Sequence, residues 1–504
     1  MVSPVSVEQE KMSREPRLEK SSEDTIVKTA GRGTIYITIA KLYFIVAGYG
    51  TYFTLPQIIS PEQFGNYGIV TGIVAIINAV ILGGTQQAVS KFISENPRSA
   101  ESVKRQALWL QCLVGGGATV GYLLAAPLIA NLLNDPKLAT PLRWSALITL
   151  AYSFYSVYMG YLNGQRKFLW QAALDISYST IKLVCIVTLA LVLGTVVGAI
   201  AGFGLAALMI LCLASLLTGR AENQINSAPK ASAFIKFQFT LLGFTLVNNL
   251  LQKVDLILIK ALASPNSSLA SELAGYYTAL MAIANVTYQA IISIAFVIFP
   301  LISNATFEQR TEEVKTYIHQ TVKYSLIVMA LSATIFSANA AALLGYLYRR
   351  TVYMTGASAL SIVAYGMLCF GLIHIFTAII SGSGRPRISL AIGLGTLLVS
   401  IAMNSLLVPH YGLIGAATST SIAMALGAGT AGFYIFRTFG ACINLRSLIC
   451  IVVAAIAARQ ITLILPVDLI SKMIAQIAIY LAILLLTREI GRKEIESIRK
   501  IIAI

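Results

Sequence analysis

The chain carries about fourteen long runs of apolar residues, each close to the length at which a helix crosses a membrane. Short polar turns separate these runs. Of the 504 residues, 57% are hydrophobic and only 12% are charged, and the mean hydropathy is +0.77. Membrane-spanning helices satisfy their own backbone hydrogen bonds, so repeated runs of this length indicate a helical bundle. The sequence therefore predicts an all-α polytopic membrane protein with about fourteen transmembrane helices, and no soluble domain with a core of its own.

The distribution of basic residues predicts the orientation of the chain. Most of the 37 lysines and arginines fall in alternate turns and in the two polar tails. Because positively charged loops stay in the cytoplasm, both termini are predicted to be cytoplasmic. The formal charge of +16 then comes mainly from the basic residues of the cytoplasmic turns and tails. Because this charge is dispersed over many turns and forms no single patch, nucleic-acid binding is disfavoured. Residues 1–32 are predicted to be a flexible cytoplasmic tail, and residues 488–504 a cytoplasmic C-terminal tail.

Two similar turns reveal an internal repeat. PEQFGNYG (Pro61–Gly68) precedes the second span, and SELAGYY (Ser271–Tyr277) precedes the eighth. An offset of six spans is even, so the two halves enter the membrane with the same polarity. This predicts a parallel repeat of two bundles that rock against each other around a central cavity, as in alternating-access transporters. The predicted parts are a six-helix bundle at 33–218, a cytoplasmic linker at 219–233, a second six-helix bundle at 234–436 and two additional helices at 437–487.

The cysteines give no sign of a disulfide framework or a metal site. All six fall in or beside apolar runs, without the spacing typical of metal ligands. We interpret them as small buried hydrophobic residues, and no metal or other cofactor is predicted. They are Cys112, Cys185, Cys212, Cys369, Cys442 and Cys450.

Several short motifs carry a resemblance to a known family. They are the FGNYG turn, the run from VDLILIKAL to AGYY (Val254–Tyr277), the GSGRPR turn and VPHYGLIGAATSTSIA (Val408–Ala423). With a layout of six plus six plus two spans, the chain resembles the bacterial polysaccharide-transporter branch of the multidrug/oligosaccharidyl-lipid/polysaccharide exporter superfamily. The resemblance covers the whole chain after the N-terminal tail.

This resemblance implies a flippase and not an enzyme. Its cargo would be undecaprenyl-pyrophosphate-linked oligosaccharide for O-antigen or exopolysaccharide synthesis, moved from the inner to the outer leaflet of the bacterial cytoplasmic (inner) membrane. The resemblance also implies a cationic cavity between the bundles that accepts the pyrophosphate and sugars while the lipid tail stays in the bilayer. Expected partners are the lipid-linked oligosaccharide, membrane lipids and the polysaccharide polymerase and chain-length machinery.

Charged and amide side chains within the spans are the candidate site residues. A pyrophosphate in a medium of low dielectric needs cations, and an intramembrane lysine is a functional candidate by default. We predict that Lys41 and Lys253 hold the pyrophosphate and that Lys182 also contributes to substrate binding. Asn249, Asn285 and Gln289 are predicted to contact sugar hydroxyls. Lys260 lies near the outer interface and is interpreted as a snorkelling side chain.

Two intramembrane carboxylates are candidates for ion coupling. Asp175 and Asp255 are the acidic residues whose neutralisation inside the membrane would couple transport to a cation gradient. Each has a lysine nearby that would hold it ionised. Asp175 with Lys182 is alternatively a structural pair.

Two alternative functions remain open on the sequence. An ion-coupled multidrug exporter of the same superfamily typically carries an acidic residue in its first span, where this chain has Lys41. A lipid II flippase tends to have arginines in its first two spans, which this chain lacks. A glycan polymerase or ligase would need a sizeable outer loop with catalytic residues, and the outer loops here are short.

Overall fold

The computed structural model describes residues 36–219, 231–464 and 468–491, and every regular element in these ranges is helical. The predicted tails and the predicted linker lie mainly outside the described residues. Fifteen α-helices run through the described part of the chain. They are α1 (described over 36–58), α2 (Pro61–Glu95), α3 (Ala100–Leu132), α4 (Ala139–Gly164), α5 (Phe168–Leu193), α6 (Val196–Leu217), α7 (Ala231–Leu251), α8 (Val254–Leu262), α9 (Ser267–Phe307), α10 (Thr311–Ala338), α11 (Ala340–Tyr348), α12 (Ala357–Gly382), α13 (Pro386–Phe439), α14 (Leu445–Ile464) and α15 (Leu469–Leu486).

These helices confirm the predicted all-α fold class. Within the described ranges, eight helices are long and apolar enough to cross a membrane on length and composition. The 54 residues of α13 make two crossings, because Gly412 breaks the helix with φ 52° and ψ −122°. A positive φ costs glycine little, so the chain reverses direction at Gly412, within the motif VPHYGLIGAATSTSIA. Elsewhere two helices follow each other almost without a gap. Two residues separate α7 from α8, and one residue separates α10 from α11.

The two bundles repeat the same packing plan. In the first, α4 lies at the centre and packs against α2, α3 and α6. In the second, the equivalent helix α12 packs against α9, α10 and α13. The additional helices α14 and α15 pack on each other and on α10, outside the repeat. This is the layout of six plus six plus two that the repeated turns predict.

The two bundles meet where the two repeated motifs approach each other. The prediction that these motifs are turns is wrong, because PEQFGNYG begins α2 and SELAGYY lies inside α9. Helix α2 packs against α9, its counterpart in the repeat, and also against α7. The closest approach is at Gly65 and Gly275, the glycines that match in the two motifs. A Cβ atom on Gly65 would overlap the carbonyl oxygen of Ser271, and one on Gly275 would overlap that of Pro61. The motif is therefore repeated because both copies build one interface.

The cysteines depart from the interpretation made on the sequence. All six are unpaired, but Cys112 on α3 and Cys212 on α6 are exposed at the helix surface. The apolar residues that surround these two cysteines in the sequence lie on helix faces that point away from the rest of the protein. In a membrane protein an apolar neighbourhood does not distinguish the protein core from the lipid side.

Candidate functional site

A break between α7 and α8 creates the central feature of the candidate site. The sequence predicts uninterrupted spans, but α7 ends at Leu251 and α8 begins at Val254. Lys253 caps α8 with φ −130° and ψ −15°, outside helical geometry. A helix that starts inside the membrane leaves backbone N–H groups without helical partners. The Asp255 carboxylate accepts one of them, from Leu256 N at 2.8 Å.

A cavity of about 160 Å³ lies between the two bundles at this break. Its walls come from α1, α2, α8 and α9, with Gln252 and Lys253 contributed by the break itself. Three predicted substrate-binding residues meet here: Lys253, Asn285 and Gln289. The remaining lining residues are Tyr49, Tyr52, Gly68, Gln252, Asp255, Leu256, Tyr277, Thr278, Met281 and Ala282.

The Lys253 side chain reaches this cavity by crossing α2 at Gly72, which has no side chain to obstruct it. Its Cδ atom lies 3.5 Å from the position that a Cβ atom on Gly72 would occupy, so its methylene stem packs on the glycine. Within the described residues, no carboxylate oxygen lies within 4.0 Å of its ammonium nitrogen. The Gln289 Oε1 atom is also buried without a hydrogen-bond partner in the described part of the chain. The cavity thus contains a cation and an amide oxygen that a polar ligand would satisfy.

Asp255 is placed differently from the other cavity residues. It is 1% exposed, and its Oδ2 atom accepts hydrogen bonds from the Tyr277 hydroxyl at 2.7 Å and from Thr420 Oγ1 at 3.3 Å. These partners lie on α9 and on the second half of α13, so the carboxylate joins three helices next to the cavity. Its role in ion coupling stays a prediction.

The other predicted charges form a second cluster inside the first bundle. The Lys41 ammonium nitrogen on α1 lies 3.1 Å from Asp175 Oδ2 on α5. Asp175 therefore pairs with Lys41, and the alternative pairing with Lys182 is wrong. The side chain of Lys41 is 57% exposed, while that of Asp175 is 8% exposed. Lys41 and Lys253 thus lie at separate places and not at one shared pocket.

Lys182 lies in an aromatic environment beyond this pair. Its ammonium nitrogen is 4.4 Å from the ring centroid of Phe203, 5.8 Å from that of Phe44 and 5.9 Å from that of Tyr178. The negative faces of aromatic rings attract a cation at such distances. The last predicted residue, Asn249, lies on α7 and donates its Nδ2 hydrogen to the Thr245 carbonyl at 2.9 Å, so it does not line the central cavity.

The bundles close over the cavity at the end that holds the α1–α2 turn, which is the outer end in the predicted orientation. Beside the glycine contact, Arg350 donates to the carbonyl oxygens of Ile59 and Gln57, each at 3.0 Å. Asn134 of the first bundle donates to the Ala261 carbonyl of the second at 3.2 Å. We call this set of contacts the outer seam.

A smaller set of contacts closes the opposite end. Gln238 on α7 of the second bundle donates to Thr85 Oγ1 on α2 of the first. The same hydroxyl also accepts from Gln111 at 2.8 Å, within the first bundle. Nearer the end of α2, Phe92 stacks on Phe234 with ring centroids 5.9 Å apart. We call these contacts the inner seam. Both seams join the two bundles in this conformation.

A family model described as "Polysaccharide biosynthesis protein" matches residues 30–306, which include α1 to α8, most of α9 and the residues that line the cavity. The chain belongs to this family.

Solved structures similar to this family member are membrane transporters. "Lipid II flippase MurJ, inward closed conformation" matches with a TM-score of 0.75 and 14% identity, over 91% of this chain and 100% of that one. "Inward-facing conformation of a multidrug resistance MATE family transporter of the MOP superfamily" matches with a TM-score of 0.65 and 16% identity, over 78% of this chain and 94% of that one. At these identities the matches establish the fold, which agrees with the predicted superfamily.

One curated relative matches a part of the chain. The "uncharacterized membrane protein MJ1068" of Methanocaldococcus jannaschii is 28% identical over 148 residues. The match spans 29% of this chain and 29% of that protein's length.

The family member contains a buried ion pair that the sequence reasoning missed. The Lys260 ammonium at the end of α8 lies 2.8 Å from Asp135 Oδ2 and also donates to the Ser267 carbonyl and the Ser271 hydroxyl. The side chain of Lys260 is 0% exposed, so the interpretation as a snorkelling residue is wrong. Asp135 belongs to the turn after α3, so the pair strengthens the outer seam. In the sequence, only Asp135 in the turn NDPK points to this ion pair, and no sequence feature identifies Lys260 as its partner.

Proposed function

We propose that this protein is a flippase that moves undecaprenyl-pyrophosphate-linked oligosaccharide from the inner to the outer leaflet by alternating access. The observation that carries the proposal is the cavity between the two bundles, in which the Lys253 ammonium has no carboxylate partner within 4.0 Å in the described residues. A pyrophosphate needs such a cation in a medium of low dielectric. Asn285 and Gln289 supply amide groups for sugar hydroxyls beside it.

The size of the cavity supports a mechanism in which the bundles separate. Its volume of about 160 Å³ resembles that of an engineered protein cavity of about 150 Å³ that holds one benzene molecule. A pyrophosphate with several sugar rings needs more room than one such ring. The present conformation therefore corresponds to a closed state between loading and release, and substrate binding requires one seam to open.

The two charge clusters suggest a path for the head group. The exposed Lys41 side chain meets the pyrophosphate first, from the predicted cytoplasmic side, and releases Asp175 as it does so. Lys182 lies farther along α5, and Lys253 holds the pyrophosphate once the cavity has closed. Asn249 joins the sugar contacts only if the side chain leaves the Thr245 carbonyl. Asp255, or Asp175 when unpaired, would link these steps to a coupling ion.

The remaining elements of the proposal concern the cellular setting. The protein would lie in the bacterial cytoplasmic membrane with both termini in the cytoplasm. The bundles at 33–218 and 234–436 would move as separate bodies joined by the linker at 219–233, with 437–487 attached to the second. A polymerase and chain-length machinery for O-antigen or exopolysaccharide would receive the flipped product. The chain would be a carrier and not an enzyme.

The proposal is tested by deleting the gene in its host and measuring lipid-linked glycans by mass spectrometry. A membrane-impermeant periodate label distinguishes the outer pool from the inner pool. We expect completed oligosaccharide to accumulate in the inner leaflet, and we expect wild type and Lys91→Ala, an exposed-lysine control, to restore the outer pool. Lys253→Ala should insert normally and fail to restore it.

Other results would favour the alternative functions. A normal outer pool in the deletion strain, with no second flippase compensating, would indicate multidrug export, which sensitivity to toxic cations would then test. Unpolymerised oligosaccharide accumulating in the outer leaflet would indicate a polymerase or ligase. Full activity of Lys253→Ala would remove the α7–α8 break from the site.

A further inference from the structure

A groove on the outside of the second bundle is separate from the central cavity. It has a volume of about 520 Å³ and lies between the two halves of α13. Its lining is apolar apart from Thr396, Thr430 and Arg387, which stands at one end. The lining residues are Arg387, Ile388, Ala391, Ile392, Gly395, Thr396, Val399, Ala423, Leu426, Gly427 and Thr430.

The groove exists because of how two glycines are placed. A Cβ atom on Gly427 would come too close to Thr396 Oγ1, so the two halves of α13 are in tight contact there. A Cβ atom on Gly395, by contrast, would meet no heavy atom within 4 Å. The tight contact forms the floor, and the missing side chain at Gly395 leaves the space above it open.

The length of the groove fits one leaflet of a bilayer. Arg387 and Val399 are twelve positions apart on a helix, which corresponds to about 18 Å. Half of a hydrocarbon core measures about 15 Å. The apolar part therefore has the length of one acyl chain, with Arg387 at the level of the lipid head groups.

A second arginine extends the positive charge at the same end. Arg437 follows Thr430 by seven residues, which places it on the same face of the second half of α13. Arg387 and Arg437 are both exposed, and within the described ranges neither forms an ion pair. Nearby Arg385 differs, because it donates to the Tyr434 hydroxyl at 2.9 Å.

We propose that this groove binds an anionic phospholipid of the surrounding leaflet. One acyl chain lies along Ala391, Gly395 and Val399, and the phosphate group contacts Arg387 and Arg437. Arginine is suited to such a contact because its planar fork matches the phosphate oxygens. The groove thereby fixes a lipid on the outside of the second bundle.

The occupant is a phospholipid and not the tail of the transported carrier. A polyprenyl chain of 11 units (undeca-) is several times longer than a groove of about 18 Å. The central cavity is lined from α1, α2, α8 and α9, and its lining does not include α13. In addition, Ser389, Leu390 and Gly393 on the opposite face of α13 line a different pocket with α7 and α12. The inference therefore stands independently of the proposed substrate.

The test measures phospholipid retention in the full-length protein purified in mild detergent and exchanged into mixed micelles of phosphatidylglycerol and phosphatidylcholine. Native mass spectrometry counts the bound lipids. We expect one phosphatidylglycerol to survive collisional activation in the wild type. Arg387→Gln with Arg437→Gln should weaken its binding about 30-fold, since each basic residue near a lipid surface contributes modestly and additively. Gly395→Leu should abolish retention by filling the groove.

Matched controls separate the groove from general effects. Gly429→Leu adds the same side chain to the same helix, at a glycine that also has open space around it but does not line the groove. Arg98→Gln removes an exposed arginine from the turn after α2. Both controls should retain the lipid. Equal retention in all variants, equal retention of phosphatidylcholine, or replacement of the phospholipid by added polyprenyl phosphate would overturn the proposal.

Discussion

Two lysines at opposite ends of α8 show how differently the same side chain is used in this protein. Lys253 and Lys260 are seven residues apart, about two helical turns, so they project from similar faces. Lys260 is completely buried and has partners in Asp135, Ser267 and Ser271. Lys253 is half-buried and faces the cavity, and no carboxylate pairs with it in the described ranges.

The difference between them follows from the cost of burying charge. An ammonium group in a medium of low dielectric is tolerated only when opposite charge and hydrogen-bond acceptors surround it. Lys260 meets these conditions in the closed protein, and it therefore holds the outer seam. Lys253 has no carboxylate partner within 4.0 Å in the described ranges, and Asp255 attracts it only from farther away, which keeps it available for an anionic ligand. The following predictions test this contrast, from the largest expected change in the free energy of unfolding to the smallest.

Removing Lys260 should have the largest effect. Lys260→Ala leaves the Asp135 carboxylate buried and unpaired, which costs about 3–5 kcal/mol for a broken buried pair. Unfolding followed by tryptophan fluorescence in detergent measures the loss. The double variant Lys260→Met with Asp135→Leu removes both charges and should recover most of the stability. A double variant as unstable as the single one would show that the pair does not act as a unit.

Asp255 should show an intermediate effect that depends on the replacement. Asp255→Ala leaves the Tyr277 hydroxyl and Leu256 N without acceptors, at a cost of about 1–3 kcal/mol. Asp255→Asn keeps an acceptor oxygen and should cost less. If Asp255 couples transport to an ion, Asp255→Asn flips substrate at a rate independent of the ion gradient. A rate in Asp255→Asn that still follows the gradient would remove this carboxylate from coupling.

Replacing Lys253 should change stability little and transport strongly. Lys253→Ala removes a half-buried ammonium without a carboxylate partner, so the free energy of unfolding should change by less than about 1 kcal/mol. Outer-leaflet labelling of the lipid-linked glycan should nevertheless fall to the level of the deletion strain. A loss of stability as large as that of Lys260→Ala would refute the contrast between the two lysines.

The Lys41–Asp175 pair should contribute least among the intramembrane charges. Because the Lys41 side chain is 57% exposed, solvent screens the pair, and its coupling energy should be no more than about 1 kcal/mol. A double-mutant cycle of Lys41→Gln and Asp175→Asn measures this coupling at low and high salt. A coupling energy of several kcal/mol that is insensitive to salt would contradict this prediction. It would show that the pair behaves like the buried Lys260–Asp135 pair.

Glu489 follows the last membrane-spanning helix, and its ion pair adds a pH test. Glu489 accepts from the Ser447 hydroxyl at 2.8 Å and lies 3.0 Å from the Lys323 ammonium. Burial raises the pKa of Glu489, but these two contacts and Arg446 outweigh it, so the pKa is below its ordinary value. Its contribution to stability is therefore present above the unfolded-state pKa of about 4.3 and is lost as the pH falls through the folded-state pKa. Thermal unfolding between pH 3 and pH 6 should show a smaller slope in Glu489→Gln; an unchanged slope would contradict this assignment.

The sequence predicts the architecture well because each span carries its own signal. Apolar length indicates a crossing, and the matching motifs around Gly65 and Gly275 reveal the repeat. The family resemblance follows from the same features. The α7–α8 break escapes prediction, because neither glycine nor proline stands at Gln252 or Lys253 to indicate it.

By itself, the sequence determined the number of crossings, their grouping into two related bundles and a set of intramembrane charges. Tertiary structure alone decided which charges meet. Asp135 and Lys260 are 125 positions apart, and Lys41 finds Asp175 while Lys182 lies among aromatic rings. Helical periodicity assigns a residue to a face of its own helix, but the facing helix depends on packing between segments far apart in the chain. The roles of Lys253 and Lys260 therefore follow from their neighbours, which their shared residue type and spacing do not specify.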